Sequence, residues 1–489
     1  MRSLASIFGI RRVTALVAVL LSVWLTGCAV NPATGDRSFV AFLPPEDEAA
    51  FGAENHPLIL QKFGGVYDDP TLGAYVTQVG STLASVAERP DLTFTFTILD
   101  SETVNAFAIP GGYVYVTRGL LALADNEAEL ASVLGHEIGH ITALHGAQRV
   151  SRGMLAGIGA AILGAAIGQD AVTDLLGVGA SALLQGYSRE QELEADTLGI
   201  RYLSRAGYDP RASTSFLAKL RETSLIRAQL AGDGDPDGFD MFASHPRPID
   251  RVQRAAELSA TGNGEIWRDR YLERIDGLIY GSSPRQGFIR GRSFFHPTLG
   301  IGFTVPDGFT LQNQPDDVRA ANRDKTAGLM FDAIRVQPDL SADRYLKQIW
   351  APTAKFLSFD RLRIGHRDAA TGLLEQQTPD GTADLRLLAI QDGPQRIYRF
   401  VFINRSRDRG LYSQAFRATA FSFRTLSELD LAQLKPERIK IIESKPGETI
   451  DGLANQIPPG PLKEQRFRVL NGLTPEQILT PGTRLKTIQ

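Results

Sequence analysis

The sequence predicts a multidomain α+β chain of 489 residues, and three observations predict it. From about Glu46 to Leu258 the apolar spacing is mainly helical, interrupted by one short strand pair. From about Phe294 to Phe423, runs such as Gly302-Phe303-Thr304-Val305 and Arg399-Phe400-Val401-Phe402 read as strands of a separate α+β domain. The last stretch, about Ile439 to Ile488, is compact and carries its own signature. The length alone suggests about three domains, and no tandem repeat runs through it.

Hydrophobic residues make up 43% and charged residues 22%, enough to build a core. The net charge is -3 with both signs mixed, which excludes the basic footprint of a nucleic-acid binder. The single cysteine, Cys28, rules out an intramolecular disulfide. Arg2, Arg11 and Arg12 precede the largely apolar stretch Val13–Leu25, which reads as an export signal. It ends in Leu25-Thr26-Gly27-Cys28, which resembles a bacterial lipobox with Cys28 as the lipidated residue. With Ala29 next, the resemblance favours the outer membrane. The chain then divides into a signal peptide (1–27), a tether (28–45), a main domain (46–265), a linker (266–293), an α+β domain (294–425) and a terminal module (439–489).

Within the main domain, Leu92–Leu99 and Ala108–Thr117 read as strands. Ile109-Pro110-Gly111-Gly112 supplies Pro and Gly where a type II turn wants them. The sharpest feature follows: His136-Glu137-Ile138-Gly139-His140, on a helix expected over Glu129–Leu144. Asn126 and Glu129 suggest a capping box and Gly146 a stop. Residues four apart share a helix face, so both imidazoles can reach one ion, and neutral imidazole suits zinc. Glu137 beside them can accept a proton from water. A further helix opens at Ser188, capped with Gln191, and carries Glu192 and Asp196 one turn apart. Glu192 is the candidate third ligand. Asp196 is the candidate acceptor for the outer N–H of a ligand histidine. Glu190 and Glu194 share that spacing and are expected to be indifferent to the metal.

These residues resemble the HtpX-type and BepA-type zinc metallopeptidases, a gluzincin family that includes the CAAX prenyl protease. The matching elements are Asn105-Ala106-Phe107-Ala108-Ile109-Pro110-Gly111-Gly112, His136–His140, Glu192 with Ala195-Asp196, and Ser244-His245-Pro246 followed by Arg251. They cover about residues 46 to 258. The resemblance implies one zinc ion and a mainly helical peptidase domain with a small active-site sheet. It also implies an edge strand (Ala108, Ile109, Gly112, Tyr113, Val114) that holds an extended peptide. It places His245 near the metal, as a fourth ligand, as a contact to the transition state or as a residue that starts a helix, and Arg251 behind it. His145, five residues past His140, falls about 140° round a continuing helix and is not expected to be a ligand. A metzincin would need histidine at position 146, which is Gly146.

The uncharged stretch Gly153–Gly168, followed by Asp170 and Asp174, reads as a small-residue helix packed as a lid or as a membrane hairpin. Ile441–Ile450, Phe467–Leu473 and Leu479–Leu485 resemble a LysM module, a βααβ fold that binds glycans such as peptidoglycan. Three prolines and a glycine within Ile457–Arg466 depart from that pattern. The domain from Phe294 resembles a PsbP-like fold. The expected activity is zinc-dependent endoproteolysis of misfolded or misassembled envelope proteins by a lipid-anchored enzyme facing the periplasm, with Glu137 as base. The competing readings are a peptidoglycan-attached chaperone for outer-membrane clients and a protease processing one dedicated substrate.

Overall fold

The computed structural model describes residues 28–166, 186–231, 245, 248–338, 340–379 and 381–489. The export signal expected over 1–27 lies outside them, as do Asp170 and Asp174. The chain forms two compact units. The first comprises residues up to Leu60, Gly65–Tyr280 and Arg438–Gln489; the second comprises Gln61–Gly64 and Gly281–Glu437.

The first unit begins with an antiparallel hairpin, β1 (Cys28–Val30) and β2 (Arg37–Phe39), where the sequence suggests a tether. Asn31 accounts for the difference: its side-chain oxygen accepts from the backbone N–H of Ala33 (2.9 Å) and Thr34 (3.3 Å) and turns the chain. Val40 and Leu43 beyond it are buried. Helices α1 (Glu48–Lys62) and α2 (Pro70–Ala84) follow. The latter starts where Asp69 accepts from Leu72 N–H, with Pro70 at the first helical position. Strands β3 (Thr95–Leu99), β4 (Ala106–Ile109) and β5 (Tyr113–Thr117) form a sheet in the order β3-β5-β4. Strand β5 pairs parallel with β3 and antiparallel with β4. The expectation of one substrate edge through residues 108–114 therefore needs correction. Ala108 and Ile109 lie on the edge strand β4, whereas Tyr113 and Val114 lie on the central strand. Gly111 and Gly112 make the turn at φ 95° and 88°, and a Cβ on either would run into a backbone carbonyl, of Glu48 or Thr93.

Next come α3 (Arg118–Leu123), α4 (Glu127–Thr142), α5 (His145–Ala166), α6 (Arg189–Arg205), α7 (Arg211–Ala231) and α8 (Pro248–Ser259). Every residue of α4 is buried. Its capping differs from the expected box: Asn126 accepts from Glu129 N–H, but the Glu129 carboxylate accepts from Asp125 N–H, one residue further back. The helix ends at Thr142, before Gly146, and Leu144 reverses the chain at φ 59°. Helices α4 and α6 meet through small residues. A Cβ on Gly199 would come within 2.9 Å of His136 N, and one on Gly139 within 3.0 Å of Ala195 O. Among the described residues no helix is long and apolar enough to cross a membrane.

The stretch expected as a linker, 266–293, contains helix α9 (Arg268–Ile275), whose Tyr271, Leu272 and Ile275 are buried in the same core as Leu130 and Leu134 of α4. Strand β6 (Ile279–Tyr280) joins the terminal residues in a sheet of order β19-β18-β6.

The second unit holds two sheets. The smaller contains β7 (Phe288–Arg290), β8 (Ser293–His296) and β9 (Ile301–Thr304), the last closed by β17 (Arg424–Thr425). The larger has seven antiparallel strands, β10 (Phe309–Asn313), β11 (Val318–Asn322), β12 (Ala327–Arg335), β13 (Ser358–Ile364), β14 (Arg367–Thr378), β15 (Gly381–Gln391) and β16 (Arg396–Arg405), in the order β10-β11-β12-β16-β15-β14-β13. In β16, Phe400 and Phe402 are buried while Val401 between them is only partly so, the alternation a sheet covered on one face requires. They join Phe303, Phe331 and Phe416 of helix α10 (Arg409–Ser422) in one aromatic core.

The terminal residues form β18 (Glu437–Glu443), α11 (Ile450–Ala454), α12 (Lys463–Asn471) and β19 (Arg484–Ile488), with Phe467 and Leu485 buried in the first unit's core. Lys486 on β19 is wholly buried. Its Nζ donates to the carbonyls of Ala122 (2.9 Å), Leu123 (2.9 Å) and Ala124 (2.8 Å) and lies 3.0 Å from Asp125 Oδ1. Those carbonyls end α3, where a helix leaves acceptors unpaired and favours a cation. Lys219 of α7 donates to Leu123 O and pairs with the other oxygen of Asp125. Lys486→Met should therefore destabilise the first unit by about 3 kcal/mol, as removing one member of a buried ionic group does. Urea unfolding of the full chain measures it. An unchanged midpoint would mean that the terminal residues do not brace the core.

Candidate metal centre

Helix α4 presents His136 and His140 one turn apart, and the close approach of α6 sets Glu192 and Asp196 against them. His136, His140, Glu192 and His245 are all buried, and one potential ligand atom from each lies within 4.8 Å of all the others. The two His Nε2 atoms are 3.0 Å apart. Each lies 3.5 Å from a Glu192 oxygen. His245 Nδ1 sits 3.0 Å from Glu192 Oε1 and 3.3 Å from His136 Nε2. Ligand atoms held tetrahedrally at zinc distances are about 3.3 Å apart. The donor set, two or three imidazoles and a carboxylate, suits that ion, so residues and geometry both fit it. The structure brings together the candidate ligands His136, His140 and Glu192, with His245 beside them.

The groups behind the ligands are also those anticipated. His136 Nδ1 faces Asp196 Oδ1 at 2.9 Å, which leaves Nε2 free for a metal. Arg251 from α8 donates to both Asp196 oxygens at 2.8 Å and lies 2.9 Å from Glu192 Oε2. Burial opposes every charge here, and the neighbours decide the outcome. Burial and Arg251 push the His136 imidazolium down, yet Asp196 and Glu192 outweigh them and raise it to about 9. Burial and the neighbouring His136 hold His140 well below its ordinary value, which keeps it neutral. Burial would raise Asp196, but Arg251 and His136 hold it down at about 2. Burial likewise disfavours the Glu192 carboxylate, and His245 and Arg251 overcome this and keep it ionised.

Glu137 is completely buried, and among the described residues neither of its oxygens has a hydrogen-bond partner. His245 Nε2 lies 3.6 Å from its Oε1. His245 thus turns one nitrogen to the ligand group and the other to Glu137. Tyr187 stacks on the His140 ring with centroids 3.8 Å apart and is held by Arg149, whose Nη2 donates to its hydroxyl. Between Tyr187, His140 and strand β4 at Ala108 and Ile109 only about 10 Å³ of space remains, room for at most one water.

Three contributors escape the sequence reading. The small-residue seam of Gly139 and Gly199 has no signal apart from its position inside the motif. Tyr187 precedes a helix cap and looks like a boundary residue. His145, which the sequence reading leaves out of the ligand set, touches the site: its Nδ1 lies 2.8 Å from His140 Nδ1, and its Nε2 lies 3.1 Å from Glu194. The angular count past His140 assumes a continuing helix, whereas Leu144 in the left-handed region turns His145 back. Glu194, expected to be indifferent, is thereby connected to a ligand.

Comparison with known proteins agrees with this geometry. Residues 70–259 match the model of peptidase family M48. The putative beta-barrel assembly-enhancing protease of Vibrio cholerae is 33% identical over 201 residues, 39% of this chain and 40% of that one. The beta-barrel assembly-enhancing protease of Yersinia pestis is 34% identical over 196 residues, 38% and 39% of the two chains. The mitochondrial metalloendopeptidase OMA1 of Arabidopsis thaliana is 32% identical over 177 residues, 36% and 34%. The match to the first two relatives thus spans about 40% of their length. Cyanobacterial PsbP from Synechocystis sp. PCC 6803 covers 28% of this chain and 98% of its own at 12% identity and TM-score 0.24, too weak a likeness to bear on the fold.

Glu192→Ala should lose most of the bound zinc, because it removes the only carboxylate among the candidate ligands. Asp196→Asn should weaken zinc binding by about 10–100-fold, because His136 loses its charged acceptor. Metal analysis and chelator competition on the purified variants decide both. Full occupancy in Glu192→Ala would exclude it as a ligand.

Proposed function

We propose that this chain, whose residues 70–259 match the model of peptidase family M48, is a zinc-dependent endopeptidase acting on misfolded or misassembled proteins of the bacterial cell envelope. One observation carries the reading. Four buried ligand atoms converge beside Glu137, a buried carboxylate without a hydrogen-bond partner among the described residues. Such a carboxylate is poised to accept a proton. His136, His140 and Glu192 would hold a zinc ion, which would supply Lewis-acid chemistry toward a carbonyl and a water. Glu137 takes the proton of the attacking water and passes it to the leaving amine. Asp196 and Arg251 hold His136 and Glu192 in place. Strand β4, the edge at Ala106–Ile109, accepts the substrate as an added strand. For that to happen, Tyr187 must move off His140.

The envelope role is proposed from the relatives' names and from the sequence of the N-terminus. Cys28, exposed at the head of the hairpin, would carry the lipid that anchors the chain to the outer membrane facing the periplasm. The LysM-like terminal module is proposed as a structural brace first and a peptidoglycan contact second, because its last strand is tied into the core through Lys486. The closed cleft favours one further reading: a client-holding chaperone that cleaves rarely.

Glu137→Gln should retain zinc and lose hydrolysis of an unfolded protein by at least about 10²–10⁴-fold. Near wild-type cleavage by that variant would exclude Glu137 as the base. His245, with one nitrogen among the ligands and the other toward Glu137, acts in this proposal as a resting brake on both. His245→Ala should then raise basal proteolysis without loss of zinc. A fall in turnover would assign it to transition-state stabilisation instead.

A further inference from the structure

The two ligand imidazoles are backed by carboxylates of one helix in two different ways. Asp196 reaches His136 directly. Glu194, two residues earlier, lies about 200° away round α6 and cannot face the metal side. It reaches His140 only through His145. The proton positions along this path follow from the acceptors. His140 Nε2 faces the other ligands, so its Nδ1 carries the hydrogen and donates to His145 Nδ1 at 2.8 Å. His145 Nε2–H then donates to Glu194 Oε2 at 3.1 Å. Glu194 has a second oxygen, and Oε1 accepts from Asn31 Nδ2 at 2.9 Å. The Asn31 amide has one orientation consistent with its surroundings, because its oxygen already accepts from Ala33 and Thr34 N–H. His145 and Asn31 are both buried, so neither bond competes freely with water.

Asn31 belongs to the turn of the hairpin that begins at Cys28. The same hairpin is docked on α5, the helix that starts at His145. Gln148 donates to Ser38 Oγ at 3.0 Å, and Phe42 N–H donates to Ser151 Oγ at 3.2 Å. The hairpin therefore grips both helices that supply the path, α5 with His145 and α6 with Glu194.

We propose that Asn31, acting through Glu194 and His145, is a positioning residue for the His140 imidazole, so that the seating of the N-terminal hairpin sets how tightly the metal is held. The inference rests on the metallopeptidase reading above. It makes the segment that would join the enzyme to its membrane a working part of the metal centre. Of the three residues, His145 orients the ligand, Glu194 orients His145, and Asn31 fixes the Glu194 carboxylate.

Zinc affinity of the detergent-solubilised full chain, measured by competition with a chromophoric chelator, tests it. The variants are Glu192→Ala, Glu194→Gln, Asn31→Ala and the Asn31→Ala/Glu194→Gln pair, together with the visible spectrum of each after cobalt(II) loading. Glu194→Gln should weaken zinc by about 10–100-fold. Asn31→Ala should weaken it by about two- to tenfold, the effect of one lost hydrogen bond. The pair should match Glu194→Gln to within about twofold, because Asn31 acts through that carboxylate. The cobalt bands should shift in both single variants, which a purely structural loss at the hairpin would not produce. Wild-type affinity and spectrum in Asn31→Ala, or additive losses in the pair, would overturn the proposal while leaving the metal centre intact. Equal zinc binding by wild type and Glu192→Ala would overturn the metal centre itself and this inference with it. If Glu194→Gln fails to fold, the Asn31→Ala affinity and spectrum decide alone.

Discussion

The structure depends on one constraint: helix α4 is buried along its whole length and yet carries acids and histidines. A buried helix is ordinarily apolar on every side. Here each polar group has to find a partner inside the protein, since burying one unpaired costs several kcal/mol. The surrounding elements are arranged by that need. Glu127 accepts from Tyr75 and Tyr208, both at 2.7 Å, and pairs with Arg270. Glu129 accepts from Ser215 at 2.8 Å and from Asp125 N–H. His136 has Asp196, and His140 has His145. Of the acids and histidines of α4, Glu137 alone has no hydrogen-bond partner for its carboxylate among the described residues.

The same constraint explains why distant segments of the chain belong to one unit. Partners for α4 and for the loop before it come from α7, α8, α9 and the terminal strand β19, far apart in sequence. Lys486 satisfies three carbonyls at the end of α3 and balances Asp125, so the last residues of the chain complete the floor beneath the active-site helix. At the opposite end, the hairpin from Cys28 completes its flank. The candidate site is thus in contact, through Asn31, Glu194 and His145, with the hairpin that begins at Cys28.

The same packing narrows the cleft. Tyr187 stacks on His140, and His245 lies between Glu192 and Glu137. Both residues adjoin segments outside those described, 167–185 and 232–244. Packing of aromatic and imidazole rings is reversible at modest cost, and a substrate strand added to β4 competes for the same space as Tyr187.

The sequence by itself determined where the candidate site residues His136, Glu137, His140, Glu192 and Asp196 stand on their helices. Helical spacing puts His136 with His140, and Glu192 with Asp196, on one face of each helix, and the chemistry of the imidazoles and the Glu192 carboxylate suits zinc. It also determined the capping box at Ser188 and the alternation in the strands, because these depend on residues near one another in the chain. Tertiary structure alone decided which strand of the small sheet is the edge. Alternation is the same for a central and an outer strand, and pairing is a property of neighbours distant in sequence. It alone decided that residues 28–45 and 266–280 are packed elements, since their burial comes from surfaces supplied elsewhere. It alone brought Glu194 and His145 to His140. A single backbone reversal at Leu144 ended the helix on which the angular count relied, and no local pattern announces a leucine in the left-handed region, because the energy that holds it there comes from the packing around it.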